Sequence, residues 1–202
     1  MSNTRQRQRN EEIKRKILDC AREIIDEDGV GSLSIRKITN RMEYSPGIIY
    51  HYFKSKQDIL DCIMLEGYER ILSAIAPITD DLSPDEMIRI SFKNYIFSAL
   101  TWRSEWKAFM LSSADTILAH TSILEEKSSE KRRALAELCH TIENGIEIGT
   151  FATCDVELTA QVLWSAMYGL LARLMIEENI TQMQQNKLID RQLDILIKGI
   201  LR

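Results

Sequence analysis

Between residues 36 and 56 the chain gathers side chains that suit a phosphate backbone and base edges better than they suit covalent chemistry. Arg36 and Lys37 come first, then Ser45-Pro46-Gly47-Ile48, Tyr50, His51, Lys54 and Lys56. The guanidinium of Arg36 can grip a guanine edge or a phosphate in a two-pronged bond, with Lys37 beside it as a second cation. Ser45 reads as a helix N-cap whose free N–H groups face a phosphate, and Pro46 sits at N1, where its ring removes no helical bond. Gly47 permits close backbone approach, and Ile48, on a surface that should be polar, suits a thymine methyl. Tyr50 and His51 offer a hydroxyl and an imidazole to backbone or base, while Lys54 and Lys56 anchor phosphates. No catalytic set accompanies them. His51, His120 and His140 are scattered, no His-Glu-x-x-His or Gly-rich phosphate loop occurs, and Cys139-His140 would point about 100° apart on a helix, so neither metal nor cofactor is expected. An enzyme on a helical bundle would need a polar cluster that this sequence does not supply.

A second group is aromatic. Phe92, Tyr95, Phe97, Trp102, Trp106, Phe109 and Met110 crowd the middle of the chain, and Trp164 and Tyr168 follow later. The spacing of Trp102, Trp106 and Met110 predicts one shared helix face. Two readings stand: these rings fill a helical core, or Phe92, Tyr95, Trp102, Trp106, Phe109, Met110, Trp164 and Tyr168 line a pocket for a flat hydrophobic ligand, with Arg103 and Glu105 pointing outward. From Leu158 to Ile176 apolar residues occupy nearly every side of a helix, which must then be covered twice. Leu158, Val162, Ser165 and Gly169, with Leu193, Leu196 and Ile200 of the last helix, predict a homodimer face, the small Ser165 and Gly169 letting a partner helix come close.

Helices must position all of these. Proline occurs only at 46, 77 and 84, and no run alternates apolar and polar residues over strand length. The first helix shows Ile13, Ile17, Ala21, Ile24 and Ile25 on one face and stops at Gly29 and Gly31. Ser34 caps a short second helix, Ser45 a third ending near Phe53, and Ser55 a fourth with Asp58 at N3 and a stripe of Ile59, Ile63, Leu72 and Ile75. Ser83-Pro84-Asp85-Glu86 is a capping box and a candidate boundary. Further helices are expected at about 84–100, 102–114, 122–147 (Ser122 and Glu125 as another box), 155–178 and 181–202.

Charge divides along the same line. Of 26 Lys and Arg and 30 Asp and Glu, residues 1–56 hold 12 and 8, leaving 14 against 22 for the remainder, a basic head on an acidic body. Arg5, Arg7 and Arg9 read either as a flexible arm that follows DNA or as a solubilising tail. The four cysteines show no Cys-x-x-Cys pair and read as reduced thiols of a cytoplasmic protein. No apolar stretch follows the first arginines as a secretory signal requires, and the greasiest window, Val162 to Ile176, is short and interrupted by Arg173, so no membrane span is expected.

The string from Leu33 to Leu60, LSIRKITNRMEYSPGIIYHYFKSKQDIL, resembles the TetR-type helix-turn-helix, in register from about Ile13 to Ile63. Met42-Glu43 stands where that family commonly has Ala-Gly, which asks Glu43 to take a positive φ at local cost, and Thr39 replaces a small Ala between the helices. The resemblance implies an all-α protein: a three-helix DNA-binding domain over 1–56 (helix-turn-helix about 34–53), then a helical regulatory and dimerisation domain over 57–202, entered by a connecting helix at about 56–76. It implies a dimer on a palindromic double-stranded operator, most often a repressor that a small hydrophobic effector releases by changing the separation of its heads. A DNA-binding dimer without an inducer, acting architecturally or through a protein partner, is the alternative.

Overall fold

Every helix that positions the basic cluster begins or ends on a residue suited to that place. The computed structural model describes residues 2–75, 82–103, 106, 121–177 and 179–202. It divides into two units, one containing Ser2–Tyr68 and Trp106, the other residues 69–75, 82–103, 121–177 and 179–202.

In the first unit α1 (Ser2–Asp28) stops where Gly29 turns to φ 81°, and a 3-10 turn, Val30–Ser32, leads on. Arg5, Arg7 and Arg9 are exposed residues of α1, so the segment read as either a flexible arm or a solubilising tail is helical. α2 (Ile35–Met42) is capped by Ser34, whose hydroxyl accepts the Lys37 N–H at 3.2 Å. It ends as foreseen on Glu43 in the left-handed region, φ 55° and ψ 34°. The Glu43 and Tyr44 N–H groups both reach the Thr39 carbonyl, the latter at 3.1 Å, which satisfies the end of the helix in the manner of a Schellman turn. α3 (Pro46–Tyr52) follows Ser45 with proline at its first position. α4 (Lys56–Ser73) starts where the Ser55 hydroxyl accepts the Asp58 N–H and the Asp58 carboxylate accepts the Lys54 N–H at 3.0 Å. Ile17, Ala21 and Ile24 of α1 and Ile38, Ile49, Phe53, Ile59 and Ile63 of the following elements are all buried and make up the apolar centre of this unit. On α4 the buried stripe continues through Ile71 rather than the half-buried Leu72, and Ile75 lies beyond the helix end.

The second unit contains α5 (Pro84–Thr101), α6 (Arg133–Glu147), α7 (Val156–Ile176) and α8 (Gln182–Lys198). α5 packs on α6, α7 and α8, and α7 also packs on α6 and α8. The Ser83–Glu86 capping box forms as read. The helix expected from 122 does not: α6 starts at Arg133, and the Ser122–Glu125 box is absent. Partners distant in sequence hold that stretch open. The Glu157 carboxylate accepts the Lys127 and Ser129 N–H groups at 3.2 and 2.9 Å, Gln161 donates to the Glu125 carbonyl, and Arg132 donates to that of Ser122. Lys127 is left-handed at φ 60°.

Between α6 and α7 the chain meets the segment after α8. Ala152 N–H donates to Ile200 at 2.9 Å and Arg202 N–H to Thr150 at 3.1 Å, forming an isolated bridge between Phe151 and Leu201. The buried Phe151 ring lies where a side chain at Gly145 would begin: a Cβ there would stand 2.1 Å from Phe151 Cδ2. Among the described residues there is no strand, and no helix is long and apolar enough to cross a membrane.

Candidate nucleic-acid interface

The two short helices α2 and α3 pack on one another and α2 packs on α1, which fixes the outer side of α3. Ile49 and Phe53 point into the core, and the residues on the other side of α3 face out: Ile48 is 37% and Tyr50 56% exposed, and His51 is exposed with its ring edge-on to Tyr52 at 5.0 Å. The Tyr52 hydroxyl donates to Asn10 Oδ1 at 3.3 Å and so ties α3 to α1, a link the sequence reading missed because it spans 42 residues. Lys14 of the same helix stands over the Phe53 ring at 5.9 Å.

Charge is sorted around this face. Lys37 pairs with Asp28 at 3.0 Å, Arg41 with Glu27 at 2.5 Å and Glu23 at 3.8 Å, and Arg22 with Asp19 and Glu66. Acidic residues of α1 thus answer several cations of the head, and Lys37 reaches any outside anion only in competition with Asp28. Arg36, Lys54 and Lys56 are exposed and enter no salt bridge among the described residues. Arg36 begins the outward row of α2, and the other two flank the start of α4. Ser45 caps α3 through its backbone, with its hydroxyl making no cap bond, and Pro46 and Gly47 are exposed beside it. A Cβ on Gly47 would meet only Ser45 Oγ at 3.9 Å, so nothing inside the chain requires a glycine there; close approach by an outside body would. Thr39 is accommodated between α2 and its neighbours by donating its hydroxyl to the Arg36 carbonyl at 3.0 Å. The arrangement can present a helix, two lysines and an arginine to an anionic groove.

The second unit rearranges the aromatic set. Phe92, Tyr95 and Trp164 are buried together, with Trp164 at 6.3 Å from Phe92, edge to face, and 5.5 Å from Tyr95. Tyr168 is half-buried, and burial holds its phenol above the usual tyrosine range. Trp102 is not on a face shared with Trp106: it is the C-cap of α5 at φ −101° and ψ 49°, 40% exposed, with the Arg70 guanidinium 4.4 Å above its ring. Trp106 is buried with the first unit, and Phe109 and Met110 lie outside the described residues. Arg103 does not point outward; it donates to the carbonyls of Leu174 and Met175 at the end of α7, a cap no local pattern announces. A cavity of about 120 Å³ does exist in this unit, between α5, α6 and α7. Of the foreseen ligand contacts only Phe92 and Trp164 line it; Ile88, Leu138, Glu137 and His140 were missed, because three helices must be packed before their shared space exists.

On α7, Leu158 and Val162 are each 58% exposed, and Ser165 and Gly169 continue the same open row, with no atom within 4 Å of a Cβ at Gly169. Leu196 and Ile200 are half-buried. Leu193 is wholly buried with Ile189 and Ile197 in the chain's own core, so it cannot serve as a surface contact; Ile195, 57% exposed, takes the outer side of α8.

Comparison with known proteins follows this division. Residues 17–63 match the family described as bacterial regulatory proteins, tetR family. The HTH-type transcriptional regulator UidR of Escherichia coli (strain K12) is 41% identical over 58 residues, 29% of this chain and 30% of UidR, so the match spans under a third of that relative's length. The HTH-type transcriptional regulator BetI of Rhizobium meliloti (strain 1021) is 26% identical over 172 residues, 81% of this chain and 78% of BetI. Two solved structures share the fold at 20% identity. A bacterial regulatory protein in the tetR family from Rhodococcus RHA1 has a TM-score of 0.66, covering 93% of this chain and 96% of its own. A transcriptional regulator of the TetR/AcrR family from Thermobifida fusca has 0.67, covering 95% and 100%.

Proposed function

Because residues 17–63 are a helix-turn-helix domain of the TetR family, we propose that the chain is a DNA-binding transcriptional regulator that acts as a homodimer on a palindromic operator. The observation that carries this reading is the sorting of charge: acidic residues of α1 answer Lys37 and Arg41, while Arg36, Lys54 and Lys56 stand exposed around α3. In the proposed complex α3 enters the major groove, with Ile48, Tyr50 and His51 toward the bases, Arg36 at a guanine or phosphate, and Lys54 and Lys56 on the backbone. The row of Leu158, Val162, Ser165 and Gly169 on α7, with Leu196 and Ile200 of α8, is the proposed dimer face. Repression by operator occupancy is the proposed mode, relieved when a small molecule in the second unit favours a state of lower operator affinity.

The test is binding of the full chain to a duplex recovered from a randomised pool, measured against salt. Affinity should fall with salt by about 0.9 logarithmic units per tenfold rise for each phosphate contact. Lys56→Ala should weaken specific and nonspecific duplexes alike, and Arg36→Ala should cost about 1–3 kcal/mol on the selected site alone. A slope near zero refutes the DNA reading; an unchanged specificity ratio in Arg36→Ala removes its base contact.

A further inference from the structure

The cavity between α5, α6 and α7 has a chemistry that narrows what could occupy it. Its floor is apolar and closed: Ile88, Phe92, Leu138 and Trp164 are all buried. Its polar groups come from Ser91 of α5 and from α6, where Glu137, His140 and Thr141 lie within about one turn. The Thr141 hydroxyl is already engaged, donating to the Glu137 carbonyl at 2.9 Å and lying 3.7 Å from Met87 Sδ. The Glu137 carboxylate is the one carboxylate among the lining residues, and the lining holds no lysine or arginine. Its partner, Arg133 at 2.8 Å, is 88% exposed, so water screens the pair and a competing cation can take over the carboxylate at little cost. His140, exposed at the same side, can offer a ring nitrogen as acceptor when neutral.

Size adds a second restriction. An apolar cavity of about 150 Å³ holds a benzene molecule. At about 120 Å³, this one accepts an apolar body of about one ring or its aliphatic equivalent. Charge separates the classes of occupant: an organic anion would set its charge beside Glu137, and a neutral molecule would use the apolar floor alone. A cation meets both the carboxylate and aromatic rings whose π-faces attract positive charge.

We propose that this cavity binds a compact organic ammonium ion, its charged nitrogen at Glu137 and its apolar body between Phe92, Leu138 and Trp164. The proposal rests on the reading of the second unit as the effector domain.

The test uses the full-length dialysed protein and three probes of one size and different charge: benzylamine, benzyl alcohol and benzoate, each titrated by calorimetry at pH 7. Benzylammonium should bind saturably, at least tenfold more tightly than benzyl alcohol, with no binding of benzoate. Glu137→Gln, at a partly exposed position where folding is not at stake, should weaken benzylammonium at least tenfold and leave benzyl alcohol unchanged. Ala134→Phe, which fills the cavity from α6, should abolish binding; if that variant does not fold, amide shifts of Ala134 and Thr141 on titration of the parent locate the probe instead. Equal binding of the alcohol or of benzoate, or an unaltered Glu137→Gln, overturns the assigned class. Failure of all three probes to bind overturns the cavity as a site. Operator titration with and without benzylammonium separates the readings: binding that leaves operator affinity unchanged upholds the ligand class and refutes its regulatory role.

Discussion

Glu43 offers a clean separation of backbone conformation from charge. It closes α2 at φ 55° and ψ 34°, where an L-residue with a side chain sits roughly 1–2 kcal/mol above its right-handed alternatives. Replacing it by glycine removes that cost, but gives back about 0.5–1 kcal/mol through the greater freedom of glycine in the unfolded chain. The balance is a gain of about 0.5–1 kcal/mol, which for a chain of 202 residues raises Tm by about 1–4 °C. Glu43→Ala retains the left-handed penalty and should raise Tm by less than Glu43→Gly, or lower it. Charge is read separately. Glu43 is exposed just before α3, so on a bound duplex its carboxylate would face phosphates. One such repulsion at about 8 Å in water is worth about 0.5 kcal/mol, so Glu43→Gln should tighten operator binding about twofold at low salt, leave Tm unchanged, and lose the gain as salt rises. Thermal unfolding by circular dichroism and fluorescence anisotropy on labelled duplex give both quantities. An alanine variant as stabilised as the glycine variant would refute the conformational argument, and an unchanged Glu43→Gln affinity would place the carboxylate outside the field of the DNA.

Four further expectations concern the second unit. At Gly169 a Cβ would find no atom within 4 Å, so Gly169→Leu should keep the parent's circular dichroism while light scattering shifts from dimer toward monomer; an intact dimer would move the interface elsewhere. Gly145→Ala sets a Cβ 2.1 Å from the Phe151 ring and should cost about 1–3 kcal/mol in chemical denaturation, with part of that recovered on trimming the ring in Phe151→Leu. Burial pushes the Cys139 thiol up to about 11 from the usual 9.0, which favours the neutral thiol in the folded state. Its contribution to stability is therefore complete below pH 9 and lost as pH rises through about 11, a decline that Cys139→Ala should flatten. Iodoacetamide at pH 8 should reach the half-buried Cys154 well before Cys139.

The helix-turn-helix was legible because each of its decisions is local. Ser34 and Ser55 cap through the N–H three residues ahead, Pro46 opens α3, and Ile49 and Phe53 leave Ile48, Tyr50 and His51 no direction but outward. Elsewhere the decisive partner lay far along the chain. The residues before Arg133 satisfy the local rule for a capping box, yet Glu157 and Gln161 of α7 bind their backbone in another shape. Spacing put Leu193 on an apolar stripe without saying whether α5 and α7 or a second copy would cover it. The i, i+4 relation of Trp102 and Trp106 assumed that Trp102 lies inside a helix shared with Trp106, whereas α5 ends at Thr101 and Trp102 is its non-helical C-cap. The cavity belongs to no segment at all.

The bridge between Phe151 and Leu201 bears on how the outer row of α7 is offered to another molecule. It fastens the entry to α7 to the exit of α8, with the Phe151 ring seated on Gly145 as its plug, so α7 and α8 are closed at that end into one frame. Leu158 and Val162 stand in the first two turns of α7, whose start is held by the Asp155 cap and by Glu157 on the Lys127 and Ser129 N–H groups. A surface held in this way is preorganised: docking a second copy on it would order few additional side chains and no backbone. The conformational entropy lost on association, which otherwise offsets much of what an apolar contact contributes, would already have been spent in folding.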